Sequence, residues 1–98
     1  NTSLLGTPDL LGYNSNQHFF TVELKATSAN KIKFSPHQIA FHIRHPKNTF
    51  ILAKSLGQRD LKLFQGTQIQ QLAACGFRLL PCSLGLESII KRLEACGL

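Results

Sequence analysis

Three charged residues stand out because they lie in short segments that are otherwise typical of buried strands. Asp9 follows a proline, and Glu23 and Lys25 stand two residues apart in the run HFFTVELKA. Charged side chains are seldom buried unless they are paired or bind a metal ion. Successive side chains of a strand point to opposite faces, so Glu23 and Lys25 share one face. Val22, Leu24 and Ala26 share the other face, which we expect to pack against helices.

A second carboxylate would turn the charged face into a metal site. If residues 8–12 form a strand that pairs with the next one through the turn-rich loop 13–17, Asp9 can join Glu23. Two carboxylates brought close together repel each other, and a divalent cation relieves that repulsion. Oxygen ligands favour Mg²⁺, with Mn²⁺ as a substitute. Lys25 is then placed to hold an attacking water or a phosphate oxygen.

The other segments predict the elements that position these residues. Apolar and β-branched side chains predict strands over residues 8–12, 18–26, 49–53 and 61–64. Ser35-Pro36 is a typical helix start, a capping serine followed by proline, and Pro46 ends this helix at His45. Helical spacing predicts a second helix from residue 67 to a C-cap at 76, and a third from residue 86 that stops at 97. Residues 77–80 are predicted to be extended.

The order β-β-α-β-β-α-α predicts one domain over residues 1–98, of the α/β or α+β class, with a small mixed sheet flanked by helices. No apolar stretch approaches the roughly 18 residues that span a membrane, and no leader sequence opens the chain, so we expect no membrane partner. Three cysteines without metal-binding spacing favour a reducing compartment. We therefore expect a cytoplasmic protein, or one in the host cytoplasm if the protein is viral.

The charged residues and the helix start together resemble a known nuclease signature. Residues 8–9 (PD) and 23–25 (ELK), with thirteen residues between Asp9 and Glu23, resemble the motif of the PD-(D/E)xK nuclease superfamily. Residues 35–38 (SPHQ) resemble the S-P-x-Q helix start of its phage-type and VRR-NUC-like members and of related Holliday-junction resolvases. The resemblance covers about residues 6–44 and implies a restriction-endonuclease-like core.

The resemblance also implies a role for each matching residue. Asp9 and Glu23 would bind Mg²⁺ together with the backbone carbonyl of Leu24. Lys25 would orient or activate the attacking water, and Gln38 would face the site from the first turn of its helix. The implied activity is that of a metal-dependent endonuclease that hydrolyses phosphodiester bonds in DNA, structure-specific or resolvase-like. A homodimer would place two such sites on two strands.

The sequence departs from the family at its start. Many members carry a further acidic residue on a helix before this motif, but residues 1–8 contain no acid. We expect that helix to be absent from this sequence. Either the natural chain extends further, or this group of proteins does without the ligand.

The charge of the chain favours a polyanionic partner. Eleven Lys and Arg against five Asp and Glu give a net charge of +6. The basic residues are spread along the sequence, so only folding can assemble them into a basic surface. We expect DNA contacts from the residues that flank the proposed site in the sequence, which are Lys31, Lys33, His42, Arg44, Lys47 and Lys54.

Two other interpretations of these residues remain open. Asp9 could be a turn residue after a proline, and Glu23 and Lys25 could form an exposed pair on the solvent face of a sheet. The chain could also be a non-catalytic nucleic-acid-binding or assembly module that keeps the nuclease fold. The presence of all three charged residues favours the enzyme, since a degenerate copy is expected to lose at least one of them.

Overall fold

A five-stranded mixed sheet forms the centre of the structure, a computed structural model that describes residues 6–97. The strands lie side by side in chain order. The second and third strands are parallel, and the other three neighbouring pairs are antiparallel. The strands are β1 (Leu10–Tyr13), β2 (Phe19–Thr27), β3 (Thr49–Ser55), β4 (Leu61–Gln65) and β5 (Ser83–Leu84).

Helices cover both faces of this sheet. The first of them is the crossover that joins the parallel strands β2 and β3, because parallel neighbours cannot be joined by a tight turn. Short 3₁₀ turns, Gly66–Gln68 and Gly76–Arg78, flank the second helix. The helices are α1 (Pro36–Arg44), α2 (Ile69–Cys75) and α3 (Leu86–Glu94).

Helix α1 begins where its sequence satisfies the free backbone groups of the first turn. The Ser35 hydroxyl accepts a hydrogen bond from the Gln38 amide at 3.1 Å, and the Gln38 side-chain oxygen accepts one from the Ser35 amide at 2.9 Å. This is a capping box, with Pro36 at the start of the helix. Pro46 disfavours helical geometry at His45, where the helix is capped. The predicted helix is confirmed.

Each face of the sheet has its own hydrophobic core. Because both faces are covered, β3 is apolar on both sides, which explains its unbroken run TFILA. The core under α1 and α2 contains Ile32, Ile51, Ala53, Phe64, Ile69, Leu72 and Phe77. The core under α3 contains Val22, Phe50, Leu63, Ile89 and Cys96.

Asn14 fastens the β1–β2 hairpin to the C-terminal end of α3. Its Nδ2 donates hydrogen bonds to the Leu93 carbonyl at 2.9 Å and to the Cys96 carbonyl at 2.8 Å. Its Oδ1 accepts hydrogen bonds from the amides of Asn16 and His18. The side chain is buried, with 4% exposure. One amide group therefore shapes the hairpin turn and also ties this turn to a helix far along the chain.

The small mixed α+β architecture agrees with the predicted fold class, and β2 lies within one residue of its predicted bounds at each end. The prediction that residues 77–80 are extended is wrong for the first half of the segment, because residues 77 and 78 belong to the 3₁₀ turn Gly76–Arg78. The short strand β5 follows instead, so the observed order is β-β-α-β-β-α-β-α. A restriction-endonuclease-like core stays a prediction.

Residues 1–5 and 98 lie outside the described residues. Most of residues 1–8, the segment in which an acidic helix is expected to be absent, falls there, and that prediction is left as it stands. Between residues 6 and 97, no helix combines the length and the apolar character that crossing a membrane requires.

Candidate active site

The β1–β2 hairpin brings Asp9 beside Glu23. The antiparallel register begins with Leu10 opposite Val22, so Asp9, in the bend just before β1, comes beside Glu23 of β2. The two carboxyl groups lie close enough for each to shift the pKa of the other. Asp9 Oδ2 also accepts a hydrogen bond from the Leu24 amide at 2.8 Å. The two carboxyl groups therefore converge on one face of the hairpin, as the sequence predicts.

The two faces of β2 are not buried as the sequence predicts. Leu24 and Ala26, which were expected to pack against helices, are exposed, and Leu24 keeps 44% of its surface in solvent. Glu23 is only 3% exposed, because α1 packs over its side of β2. The reason lies in the β2–α1–β3 crossover, whose handedness decides which face the helix covers. The alternation within β2 alone carries no information about that choice.

The environment of the two carboxyl groups drives their pKa values apart. The pKa of Glu23 is raised to about 7, first by burial and then by the hydrogen bond and the negative charge of Asp9, while Lys25 opposes the rise. The pKa of Asp9 is lowered, first by its hydrogen bond with Glu23 and then by the Leu24 amide. One proton is therefore shared by the pair near neutral pH, and it resides mainly on Glu23.

The oxygen donors of this pair fit a hard divalent cation. Glu23 Oε1 is buried and finds no hydrogen-bond partner among residues 6–97, which is costly for a carboxyl oxygen unless a cation compensates it. The N–H of Leu24 points to Asp9, and the C=O of a strand residue points to the same edge as its N–H. The donor set is thus two carboxylates and one backbone carbonyl, a set that suits Mg²⁺ or Mn²⁺. In the same range no three His, Cys, Asp or Glu side chains converge.

Lys25 and Gln38 meet at the rim of the same site. Lys25 Nζ donates a hydrogen bond to Gln38 Oε1 at 3.0 Å and lies 5.0 Å from the centre of the Phe34 ring. Gln38 Oε1 is also the atom that caps α1 by accepting a hydrogen bond from the Ser35 amide. The capping box therefore fixes the oxygen that holds the Lys25 ammonium group. The structure brings together all four side chains that the sequence assigns to catalysis.

The chain matches no protein-family model, no curated protein and no solved structure. The resemblance to PD-(D/E)xK nucleases therefore rests on residues 8–9, 23–25 and 35–38 and stays a prediction. What the fold adds is the placement of these three segments: the residues just before β1, strand β2 and the start of α1 meet at one site.

The basic residues expected to contact DNA are placed on several elements. Five of them are exposed and available to a ligand. Lys54 pairs with Ala26 on the neighbouring strand and so lies on the opposite face of the sheet from Glu23. DNA binding by these side chains stays a prediction. The five exposed residues are Lys31, Lys33, Arg44, Lys47 and Lys54.

The predicted role of His42 in DNA binding is wrong. Its side chain is fully buried, so it offers no surface to DNA, and the expected DNA contact is corrected. Its Nδ1 lies 2.9 Å from the carbonyl oxygen of Gln38, and its Nε2 is buried without a partner among the described residues. Burial lowers the pKa of His42, although the Gln38 carbonyl opposes the change. His42 is therefore a neutral residue between α1 and the sheet.

Thr21 is a polar residue near the site that sequence reasoning missed. Its Oγ1 is buried and has no partner in the described part of the chain. Thr21 shares a face with Glu23 and pairs with Thr49, and Thr49 and His42 both lie close to Gly66. The side-chain period of two in β2 places Thr21 on the same face as Glu23, so the sequence could have identified it as a neighbour of the site. The spacing of four residues after Gln38 would likewise have placed His42 on the inner side of α1.

Proposed function

We propose that this protein is a metal-dependent endonuclease that hydrolyses phosphodiester bonds in DNA. The observation that carries the proposal is the convergence of the Asp9 and Glu23 carboxyl groups, with one buried Glu23 oxygen left without a hydrogen-bond partner. No protein donor among residues 6–97 hydrogen-bonds to that oxygen. A cation held between the two side chains would do so and would make the arrangement favourable.

Each residue of the site has its own role in the proposed reaction. Asp9, Glu23 and the Leu24 carbonyl would hold Mg²⁺ or Mn²⁺. When bound, such an ion polarises the scissile phosphate and lowers the pKa of a water molecule. Lys25 lies beside the pair and donates hydrogen bonds to the attacking water or to a phosphate oxygen, which stabilises negative charge as it develops. Gln38 keeps the ammonium group in place through its 3.0 Å hydrogen bond.

The charge of the protein supports DNA as the substrate. The net charge is +6, and the proposed basic contacts, His42 excepted, are exposed. Mg²⁺ as cofactor, a homodimer and the choice between structure-specific and resolvase-like cleavage belong to the same proposal. The alternative of a non-catalytic nucleic-acid-binding or assembly module is decided by the experiment below.

Cleavage should be measured on supercoiled plasmid, branched DNA and single strands, with Mg²⁺ or Mn²⁺ and with EDTA as the metal-free control. We expect metal-dependent cleavage by the wild type. Asp9→Ala, Glu23→Ala and Lys25→Ala should each lower the rate by roughly 100-fold or more, the loss typical of removing one essential charged group. Asp60→Asn is the matched control, because Asp60 is an exposed acid outside the site, and its rate should equal that of the wild type.

Full activity of any one folded variant would remove that residue from the mechanism. Absence of metal-dependent cleavage by the wild type on all three substrates, with DNA binding retained, would instead support the non-catalytic module. DNA affinity of each variant, measured in EDTA, separates loss of chemistry from loss of binding.

A further inference from the structure

Two aromatic rings are exposed at the closed end of the β1–β2 hairpin. Tyr13 ends β1 and Phe19 begins β2, and the two residues are paired in the strand register. Their side chains are 57% and 61% exposed, and their ring centres lie 4.6 Å apart. Exposed apolar groups that form a contiguous patch, rather than single side chains, mark a surface that binds something. The pair is named the aromatic platform below.

The aromatic platform lies on the same face of the hairpin as the carboxyl pair. Phe19 is four residues before Glu23 in β2, so the side-chain period of two puts both on one side, and Tyr13 pairs with Phe19. Asp9 meets Glu23 on that side. Four residues of strand span about 13 Å. A single extended ligand can therefore cover the platform and the carboxyl pair at once.

Basic side chains lie beside the Phe19 end of the platform. A cavity of about 270 Å³ beside Phe19 is also lined by Phe41, His45 and Lys47. The α1–β3 connection separates it from a second cavity of about 410 Å³, which is lined by His18, Lys47 and Arg92 among others. No Asp or Glu is among the described residues that line either cavity. Arg92 belongs to α3, and its guanidinium lies 5.4 Å from the centre of the Phe50 ring, on the other face of the sheet. A strand on the platform reaches Arg92 by passing around the end of the sheet at the α1–β3 connection.

We infer that this end of the molecule binds single-stranded DNA, with unpaired bases stacked on Tyr13 and Phe19 and phosphates held by Lys47 and Arg92. Exposed aromatic rings beside a basic groove are the two components of sequence-tolerant single-strand binding. Stacking requires a free base face, which a continuous duplex does not offer. An apolar protein partner would use the rings but would leave the basic lining without complementary charge.

The binding itself does not depend on catalysis. The effect of this binding on the choice of substrate does rest on the proposed function. A strand anchored on the aromatic platform passes the carboxyl pair about 13 Å further along the hairpin. Cleavage should then favour single strands, or duplexes with an unpaired arm, over continuous duplex.

The test is fluorescence anisotropy in EDTA, where no cleavage can occur, with a labelled oligodeoxythymidine and a duplex of equal length. We expect tighter binding of the single strand. Phe19→Leu and Tyr13→Leu keep the surface apolar but remove a ring, and each should weaken single-strand binding by roughly 5- to 150-fold, the range for one stacked base. Phe19→Tyr keeps a ring and should keep the affinity. Leu80→Ala is the surface control, because Leu80 is 81% exposed and lies outside the aromatic platform, and it should bind like the wild type.

Tyr13 also provides a direct probe, because it is the one tyrosine in the sequence. Protein made with fluorotyrosine should give a single fluorine resonance, which should shift on addition of the oligodeoxythymidine and not on addition of the duplex.

Two results would overturn the inference: equal affinity for the two DNAs, or unchanged affinity of both leucine variants. The second of these would favour an apolar protein partner. Single-strand binding that depends on the rings, without cleavage in Mg²⁺ or Mn²⁺, would leave the inference standing and would count against the proposed function alone.

Discussion

Replacing Glu23 with glutamine should stabilise the metal-free protein at neutral and alkaline pH. The wild-type side chain is 3% exposed, and its pKa is raised from 4.5 to about 7, chiefly by burial. At pH 8 the carboxylate must therefore be charged in a site that favours the neutral form. Glutamine has nearly the same shape and no charge, so it avoids this cost.

The expected change in the free energy of unfolding follows from the pKa of Glu23. At about 1.36 kcal/mol per pKa unit, the rise from 4.5 to about 7 corresponds to roughly 3 kcal/mol. Because the folded-state pKa is the higher one, this stability is fully present below the unfolded value of 4.5 and is lost as the pH rises through about 7. The pKa of Asp9 is lowered, so its contribution has the opposite sign: it is present above 3.8 and is lost as the pH falls through the folded value.

The assay is urea denaturation of wild type and Glu23→Gln in EDTA at several pH values between about 5 and 8. The free energy of unfolding of the wild type should fall across this range relative to the variant, by up to about 3 kcal/mol. Glu87→Gln is the control, because Glu87 is an exposed acid of α3, and its curve should follow the wild type. Mg²⁺ at about 100 times its dissociation constant should restore about 2.7 kcal/mol to the wild type at pH 8 and little to Glu23→Gln.

A difference between wild type and Glu23→Gln that does not change with pH would refute this reasoning. It would mean that Glu23 ionises in the folded protein as it does in water. The buried oxygen without a partner would then be compensated by solvent, and the strongest argument for a cation at this position would be lost.

Two further predictions concern binding and packing. DNA affinity should fall steeply with salt, with a log–log slope near −0.9 per neutralised phosphate for duplex and −0.7 for single strands; a slope near zero would point to a protein or small-molecule partner. Gly66→Ala should destabilise the fold by about 1–3 kcal/mol, because a Cβ there would collide with the Thr49 hydroxyl and lie 2.8 Å from His42 Cδ2. Gly57→Ala is its control in thermal unfolding, since the nearest atom would be 3.6 Å away, and equal melting temperatures of the two variants would contradict the packing described.

Local patterns predicted the hairpin and helix α1 well. The alternation in β2 and the turn-rich loop gave the pairing that places Asp9 opposite Glu23, and Ser35-Pro36 gave the helix start. In each case the determining interactions lie within a few residues of one another or across one tight hairpin. The resemblance, and not a local pattern, implied that Gln38 faces the site, and Gln38 lies beside Lys25.

Features that depend on long-range packing were missed. The burial of Glu23 depends on the side of the sheet to which α1 returns, which no local pattern encodes. Strand β5 has only two residues, Ser83–Leu84, and is held by pairing with β4 rather than by its own propensity. The exposure of the aromatic platform was not predicted either. Phe19 belongs to a run that is typical of a buried strand, and its exposure depends on its place at the edge of the finished sheet.

The anchoring of the hairpin by Asn14 has a consequence for the order in which the protein acquires its structure during synthesis. Asn14 lies near the start of the described chain, and its two acceptors, the carbonyls of Leu93 and Cys96, are among the last described residues to leave the ribosome. The hairpin that carries Asp9 thus reaches its anchored position only after α3 has emerged, because contacts so distant in sequence form late. A truncated or stalled chain would therefore hold an unfinished carboxyl pair, and under the proposed function such a fragment would not cleave nucleic acid.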